Sequence, residues 1–79
     1  MIRVLLFAEL EERLGRRELQ LKPENGLNVE GLRERLITDY PELQGIENAM
    51  PAVNEEYARA DTKVSDGDTV AFIPPVSGG

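Results

Sequence analysis

The feature that most limits the folds open to this chain is one amphipathic stretch, Asn28 to Tyr40, set among much shorter periodic segments. Val29, Leu32, Leu36, Ile37 and Tyr40 recur at the i, i+3, i+7, i+8 and i+11 spacing that forms a single stripe of a helix. Asn28 suits the N-cap, because its side-chain oxygen can accept from a free amide of the first turn. Pro41 disfavours helical backbone at Tyr40, so the helix should end there. One main helix with one apolar stripe can cover one side of one sheet.

The remaining segments supply that sheet. Ile2 to Phe7 is an apolar run interrupted only by Arg3, and its Val and Ile content suits a central strand buried on both faces. Ala8 to Leu14 carries Leu10 and Leu14 on one helical face, pairs Glu9 with Arg13 at i,i+4, and stops at Gly15, which predicts a short helix. Arg17 to Lys22 alternates polar and apolar residues, as a strand with one wet face does. Ala52-Val53-Asn54 and Tyr57-Ala58-Arg59 are expected to form a short hairpin about Glu55-Glu56. Val64 to Asp68 is a turn in which Gly67 can take positive φ, and Thr69 to Ile73 is a final strand. The order is strand, helix, strand, long helix, short strands, strand. Its smallest compact solution is an α+β, ubiquitin-like β-grasp over residues 1–73, with residues 74–79 as an extended tail.

The 79 residues contain no Cys and no His. That excludes a disulfide framework, ordinary zinc, iron–sulfur and haem sites, and any nucleophile system that relies on an imidazole base. A net charge of −6 argues against nucleic acid and favours a basic protein partner. The longest apolar run, Val4 to Ala8, is far too short to span a bilayer, and no cleavable signal pattern precedes it, so no membrane association and a cytoplasmic location are expected. The carboxylate pairs Glu11-Glu12, Glu55-Glu56 and Asp66 with Asp68 fit solvated surface or turns; Asp66-Gly67-Asp68 lacks the further ligands of a calcium loop, so no metal site is expected.

The chemistry is concentrated in Pro74-Pro75-Val76-Ser77-Gly78-Gly79. The proline pair cannot continue a central strand and favours an extended path. Six residues at ~3.1 Å each reach roughly 15–20 Å, enough to enter another protein's active site while the body stays outside. Gly78 and Gly79 have no Cβ, so a narrow channel can admit their backbone. The terminal carboxylate is then the reacting group. It is a poor electrophile until converted, for example by adenylation, into a mixed anhydride that a sulfur or amine nucleophile can open.

Phe72-Ile73-Pro74-Pro75-Val76-Ser77-Gly78-Gly79 resembles the signature tail of the molybdopterin synthase small-subunit family, which is ubiquitin-like. The resemblance extends in order to Ile2-Arg3-Val4-Leu5-Leu6-Phe7-Ala8, Ala52-Val53-Asn54 and Asp66-Gly67-Asp68, and so covers the whole chain. It implies a sulfur carrier that is not an enzyme by itself and binds no cofactor of its own. Gly79 would be adenylated by a ubiquitin-activating-like enzyme using ATP and Mg, then converted to a thiocarboxylate with sulfur from a donor protein. The tail would enter the large, catalytic subunit of a heterotetramer and give its sulfur to cyclic pyranopterin monophosphate on the way to molybdopterin. The family's partner contacts carry over to Phe7, Tyr57 and Ile73, where Tyr57 and Ile73 differ from the more usual Leu and Phe, and to Pro75 and Val76 of the tail. The absence of Cys is consistent with a carrier that holds sulfur only at its terminus.

Two other classes share parts of this pattern. A thiamine-type or amino-acid-pathway sulfur carrier would use the same Gly-Gly chemistry, usually without the Phe-x-Pro-Pro-Val block, and the other class is a ubiquitin-like modifier that passes its terminus to lysine amines, or a plain binding module with an inert tail. On the residues alone, Phe7 and Ile73 are equally compatible with an ordinary core position; their exposure distinguishes the two roles.

Overall fold

The computed structural model of the protein describes residues 1–75. Strands β1 (Ile2–Leu6), β2 (Glu18–Leu21), β3 (Met50–Val53), β4 (Glu56–Tyr57) and β5 (Thr69–Ile73) form one mixed sheet in the order β2-β1-β5-β3-β4. β5 is the middle strand; β1 is an inner strand beside it, antiparallel to β2 and parallel to β5, while β3 is antiparallel to both β5 and β4. Helix α2 (Val29–Asp39) lies on its inner side, and the short helix α1 (Glu9–Leu14) follows β1. This is the β-grasp arrangement expected from the element order.

The stripe that predicted α2 is the stripe it buries. Val29, Leu32 and Leu36 are inaccessible and pack on Ile2, Val4, Leu6, Leu19, Val70 and Phe72, while Ile37 and Tyr40 border the cluster. The Asn28 side chain accepts from the Gly31 amide at 2.8 Å, as an N-cap should. Beyond Tyr40, two 3₁₀ turns in a stretch for which the sequence predicts no element, Pro41–Leu43 and Ile46–Asn48, drop Leu43 and Ile46 into the same core.

Three expectations are corrected. First, β1 is buried on one face only: Ile2, Val4 and Leu6 are inside, Arg3 and Phe7 are exposed, and Leu5 is half-buried. A strand paired on both edges is covered on both faces only where helices lie on both sides of the sheet, and here the covering layer is on one side. Second, α1 begins at Glu9, because Ala8 takes φ 52° in a tight turn closed by the Leu10 amide donating to the Phe7 carbonyl at 3.1 Å. Third, the hairpin turns one residue earlier than expected, at Asn54-Glu55. Val53 faces Glu56 and Ala52 faces Tyr57.

Asn54 explains the third correction. Both turn residues have positive φ, 51° and 72°, as a two-residue hairpin of the favoured twist requires, and Asn tolerates that backbone better than Glu. The Asn54 side chain also accepts from the Thr69 amide and donates to Asp68, each at 3.0 Å. It thereby ties the hairpin to the start of β5. Asp68 in turn accepts from the Ser65 amide at 2.8 Å across the turn that Gly67 makes at φ 90°. The Asp-Gly-Asp segment is therefore spent on turn geometry. Among the described residues no group of three or more metal-ligating side chains is present.

Candidate functional site

The outer face of the sheet is the site that this register builds. Side chains alternate along a strand, so hiding Ile2, Val4 and Leu6 turns Arg3, Leu5 and Phe7 outward, and hiding Val70 and Phe72 turns Thr69, Ala71 and Ile73 outward. The pairing Glu18–Leu5–Ala71–Ala52–Tyr57 runs across all five strands as one row on that face. Its centre is two alanines, and its flanks are Leu5 and Tyr57. The next row toward the tail pairs Ile73 with Met50. The result is an open groove of about 710 Å³ with a small-residue floor and larger apolar walls.

Phe7 is 39% exposed, Ile73 36% and Tyr57 73%. The aromatic residue that fills the core is Phe72, the neighbour of Ile73. The three body residues singled out by the sequence reading are thus brought together in one groove, outside the core. Such a clustering of exposed large apolar side chains on one face is what a docking surface requires.

One charged pair edges this apolar surface. Arg3 donates to Glu18 at 3.0 Å across the β1–β2 edge. The hydrogen bond from Arg3, reinforced by its charge, holds the Glu18 carboxyl below its ordinary range, and Glu18 holds the Arg3 guanidinium above its own. Both side chains are accessible, so the pair adds little to stability. It can orient a partner that carries complementary charge.

The tail begins at the edge of this face. Ile73 points outward, and the chain then passes into Pro74, half-buried, and Pro75, exposed, which share a second cleft with Glu9, Leu10, Arg13 and Asn48. The first two residues of the segment expected to project thus lie beside α1. Val76, Gly78 and Gly79 lie outside the described residues.

The sequence reading missed Leu5, Ala52, Ala71 and Met50 as members of this face. The signal that could have found Leu5 is Arg3, the one polar residue in β1. It marks the outward phase of the strand, which places Leu5 and Phe7 on its own side.

With this geometry in hand, comparison with known proteins gives a consistent result. The ThiS family model matches residues 4–79. The molybdopterin synthase sulfur carrier subunit of Arabidopsis thaliana is 37% identical over 79 residues, covering 99% of this chain and 82% of that protein. Among solved structures, SAMP1 of Haloferax volcanii superposes with a TM-score of 0.87 at 26% identity, over 99% of this chain and 98% of that one. The complex of subunits 1 and 2 of the molybdopterin-converting factor from Helicobacter pylori contains a chain that matches with a TM-score of 0.71 over 99% of this chain and 97% of that one; at 24% identity this bears on the fold alone.

Proposed function

The chain belongs to the ThiS family, and from that premise we propose that it is the sulfur carrier subunit of a molybdopterin synthase. The observation that carries the reading is a Gly-Gly end on a proline-stiffened segment that starts at the rim of an exposed apolar sheet face. The face supplies docking and the tail supplies reach. The similarity to a protein named as that subunit over nearly the whole chain supports the same reading.

In this proposal an adenylating enzyme uses ATP and Mg to activate the Gly79 carboxylate, and a sulfur donor protein converts it to a thiocarboxylate. The sheet face, with Phe7, Tyr57 and Ile73, then seats on the large subunit. Pro75 and Val76 guide the tail, Gly78 lets it pass a narrow channel, and Gly79 gives its sulfur to cyclic pyranopterin monophosphate. The catalytic side chains belong to the partner, which agrees with the absence of Cys and His from this chain. Among the described residues no helix is long and apolar enough to cross a membrane.

The test is to incubate the protein with ATP, the adenylating enzyme and a sulfur source, alkylate with a thiol-selective reagent, and locate the label by fragment mass analysis. With no cysteine to compete, a label on Gly79 supports the carrier. An unlabelled terminus in the presence of a competent adenylating enzyme refutes it, and conjugates to lysines of other proteins would then favour a modifier.

A further inference from the structure

The chain has four asparagines, Asn25, Asn28, Asn48 and Asn54, and the fold restrains three of them. The Asn28 side chain accepts from the Gly31 amide, and the amide that follows it, of Val29, donates to the Thr62 carbonyl at 3.0 Å. Asn48 ends a 3₁₀ turn, and the Ala49 amide after it donates to the Ile46 carbonyl at 3.0 Å. Asn54 is held through both polar atoms of its carboxamide, by Asp68 and by the Thr69 amide.

Asn25 has neither kind of restraint. It and Gly26 are exposed in the turn between β2 and α2. Among the described residues neither the Asn25 side chain nor the Gly26 amide makes a hydrogen bond. The turn is closed by the Leu27 amide donating to the Glu24 carbonyl at 3.2 Å. Gly26 takes φ 74°, and a Cβ built on it would meet nothing within 4 Å, so the space around it is open.

We propose that Asn25 is a site of spontaneous deamidation, where the native fold leaves a carboxamide and the amide after it free to react with each other. The Gly26 nitrogen, deprotonated by hydroxide, attacks the side-chain carbonyl carbon of Asn25. A C–N bond forms, the bond from that carbon to the side-chain nitrogen breaks, and the nitrogen leaves as ammonia with a proton taken from water. Water then opens the five-membered succinimide at either carbonyl, giving aspartate or isoaspartate at position 25. The net exchange is one water taken up for one ammonia released, and no oxidant or reductant is needed.

Ring closure requires the Asn25 carboxamide to swing over the Gly26 nitrogen, a backbone rotation that opens only the Glu24–Leu27 turn. The same rotation at Asn28, Asn48 or Asn54 breaks a helix cap, a 3₁₀ turn or the tie between the hairpin and β5. Gly26 also has no side chain to obstruct the attack, whereas Val29, Ala49 and Glu55 follow the other three. The product adds a carboxylate to a chain already at −6, in a cleft shared with Glu24, Lys63 and Asp66. The isoaspartyl form also lengthens the backbone by one atom shortly before Leu27, which is buried and whose carbonyl accepts from the Val64 amide at 2.9 Å.

The experiment incubates the folded full chain at mildly alkaline pH, follows the added charge by native isoelectric focusing, and scores each asparagine by peptide mapping for exchange of its amide for an acid. Asn25 should react more than about tenfold faster than Asn28, Asn48 or Asn54, since each hydrogen bond that must first open slows reaction by up to about tenfold. The rate should rise in proportion to hydroxide. Asn25→Gln, which would need a six-membered ring, should lose the acidic isoform. In denaturant the lead of Asn25 should shrink to what Gly26 alone confers. Equal rates at all four asparagines of the folded protein would overturn the proposal, as would an Asn25 that stays intact while another reacts. So would the same ratio of rates in folded and unfolded chains, because the fold would then have no part in the selection.

Discussion

Tyr57→Ala isolates the docking face from the fold. Tyr57 sits on the two-residue edge strand β4, opposite Ala52, with 73% of its surface in solvent. Little of the body therefore packs on it, and truncation should change stability by less than ~0.5 kcal/mol, as for other exposed positions. For a domain of this size that is a Tm shift of no more than about 4 °C. The complex is different. An aromatic side chain offers ~150–250 Å² in all, and a partner covering about 100 Å² of this exposed ring gains ~2.5 kcal/mol at ~25 cal/mol per Å². Losing it should weaken binding to the large subunit by roughly 60-fold, at 1.4 kcal/mol per decade. Titration calorimetry gives the affinity and a melting curve the stability. Tyr57→Leu keeps most of the apolar area and should bind within about tenfold of the unaltered protein. If Tyr57→Ala binds within about threefold of it while melting normally, this residue lies outside the interface and the assignment of the outer face is wrong.

The other expectations follow from local chemistry. Glu55→Gly should raise stability by about 1 kcal/mol in denaturant unfolding, because Glu55 holds φ 72° and Asn-Gly is the preferred pair for this turn; a loss of stability would refute the strain argument. The Glu18 carboxyl is held below its ordinary value of 4.5 by Arg3, so its contribution is present above that pH and lost as pH falls through the lower folded value. Melting temperatures of Glu18→Gln and the unaltered protein should therefore converge as pH drops below 4.5, and a gap that stays constant would dismiss the pair. Gly78→Val should slow thiocarboxylate formation and sulfur transfer by up to ~100-fold, the usual effect of misplacing a reacting group by about 1 Å. Normal rates in both steps would remove the clearance argument.

The readable parts of this sequence are those governed by local pattern. The α2 stripe, its Asn28 cap and the stop before Pro41 all depend on residues within a few turns of one another, and each lies where its pattern places it. The errors arose where a long-range choice decides. Whether β1 is covered on one face or two depends on how many helices pack on the sheet, and within β1 Arg3 alone marks the uncovered face. The hairpin turn was misplaced by one residue because the deciding interaction is the Asn54 side chain reaching Asp68 and Thr69, fourteen and fifteen residues away. The 3₁₀ turns that bury Leu43 and Ile46 leave no periodic signal, since each is three residues long. Among the proposed contact residues, Phe7 and Ile73 could not be told from core by composition; only the alternation against Phe72 and Leu6 separates them.

That alternation also ties the groove to the start of the tail. β5 is the strand on which both depend: Val70 and Phe72 hold it in the core, Ala71 and Ile73 present the groove, and Pro74 begins the tail. It is clamped on both edges, parallel to β1 and antiparallel to β3, so its register cannot slip without carrying Phe72 into water. A partner that seats on Ile73 therefore also fixes the point from which the tail departs, one residue later. An apolar face of this kind is a hazard to a free protein. The surplus of six negative charges opposes association of like copies at long range, while leaving a basic partner attracted. The strand that completes the core thus also fixes where Pro74 leaves the sheet.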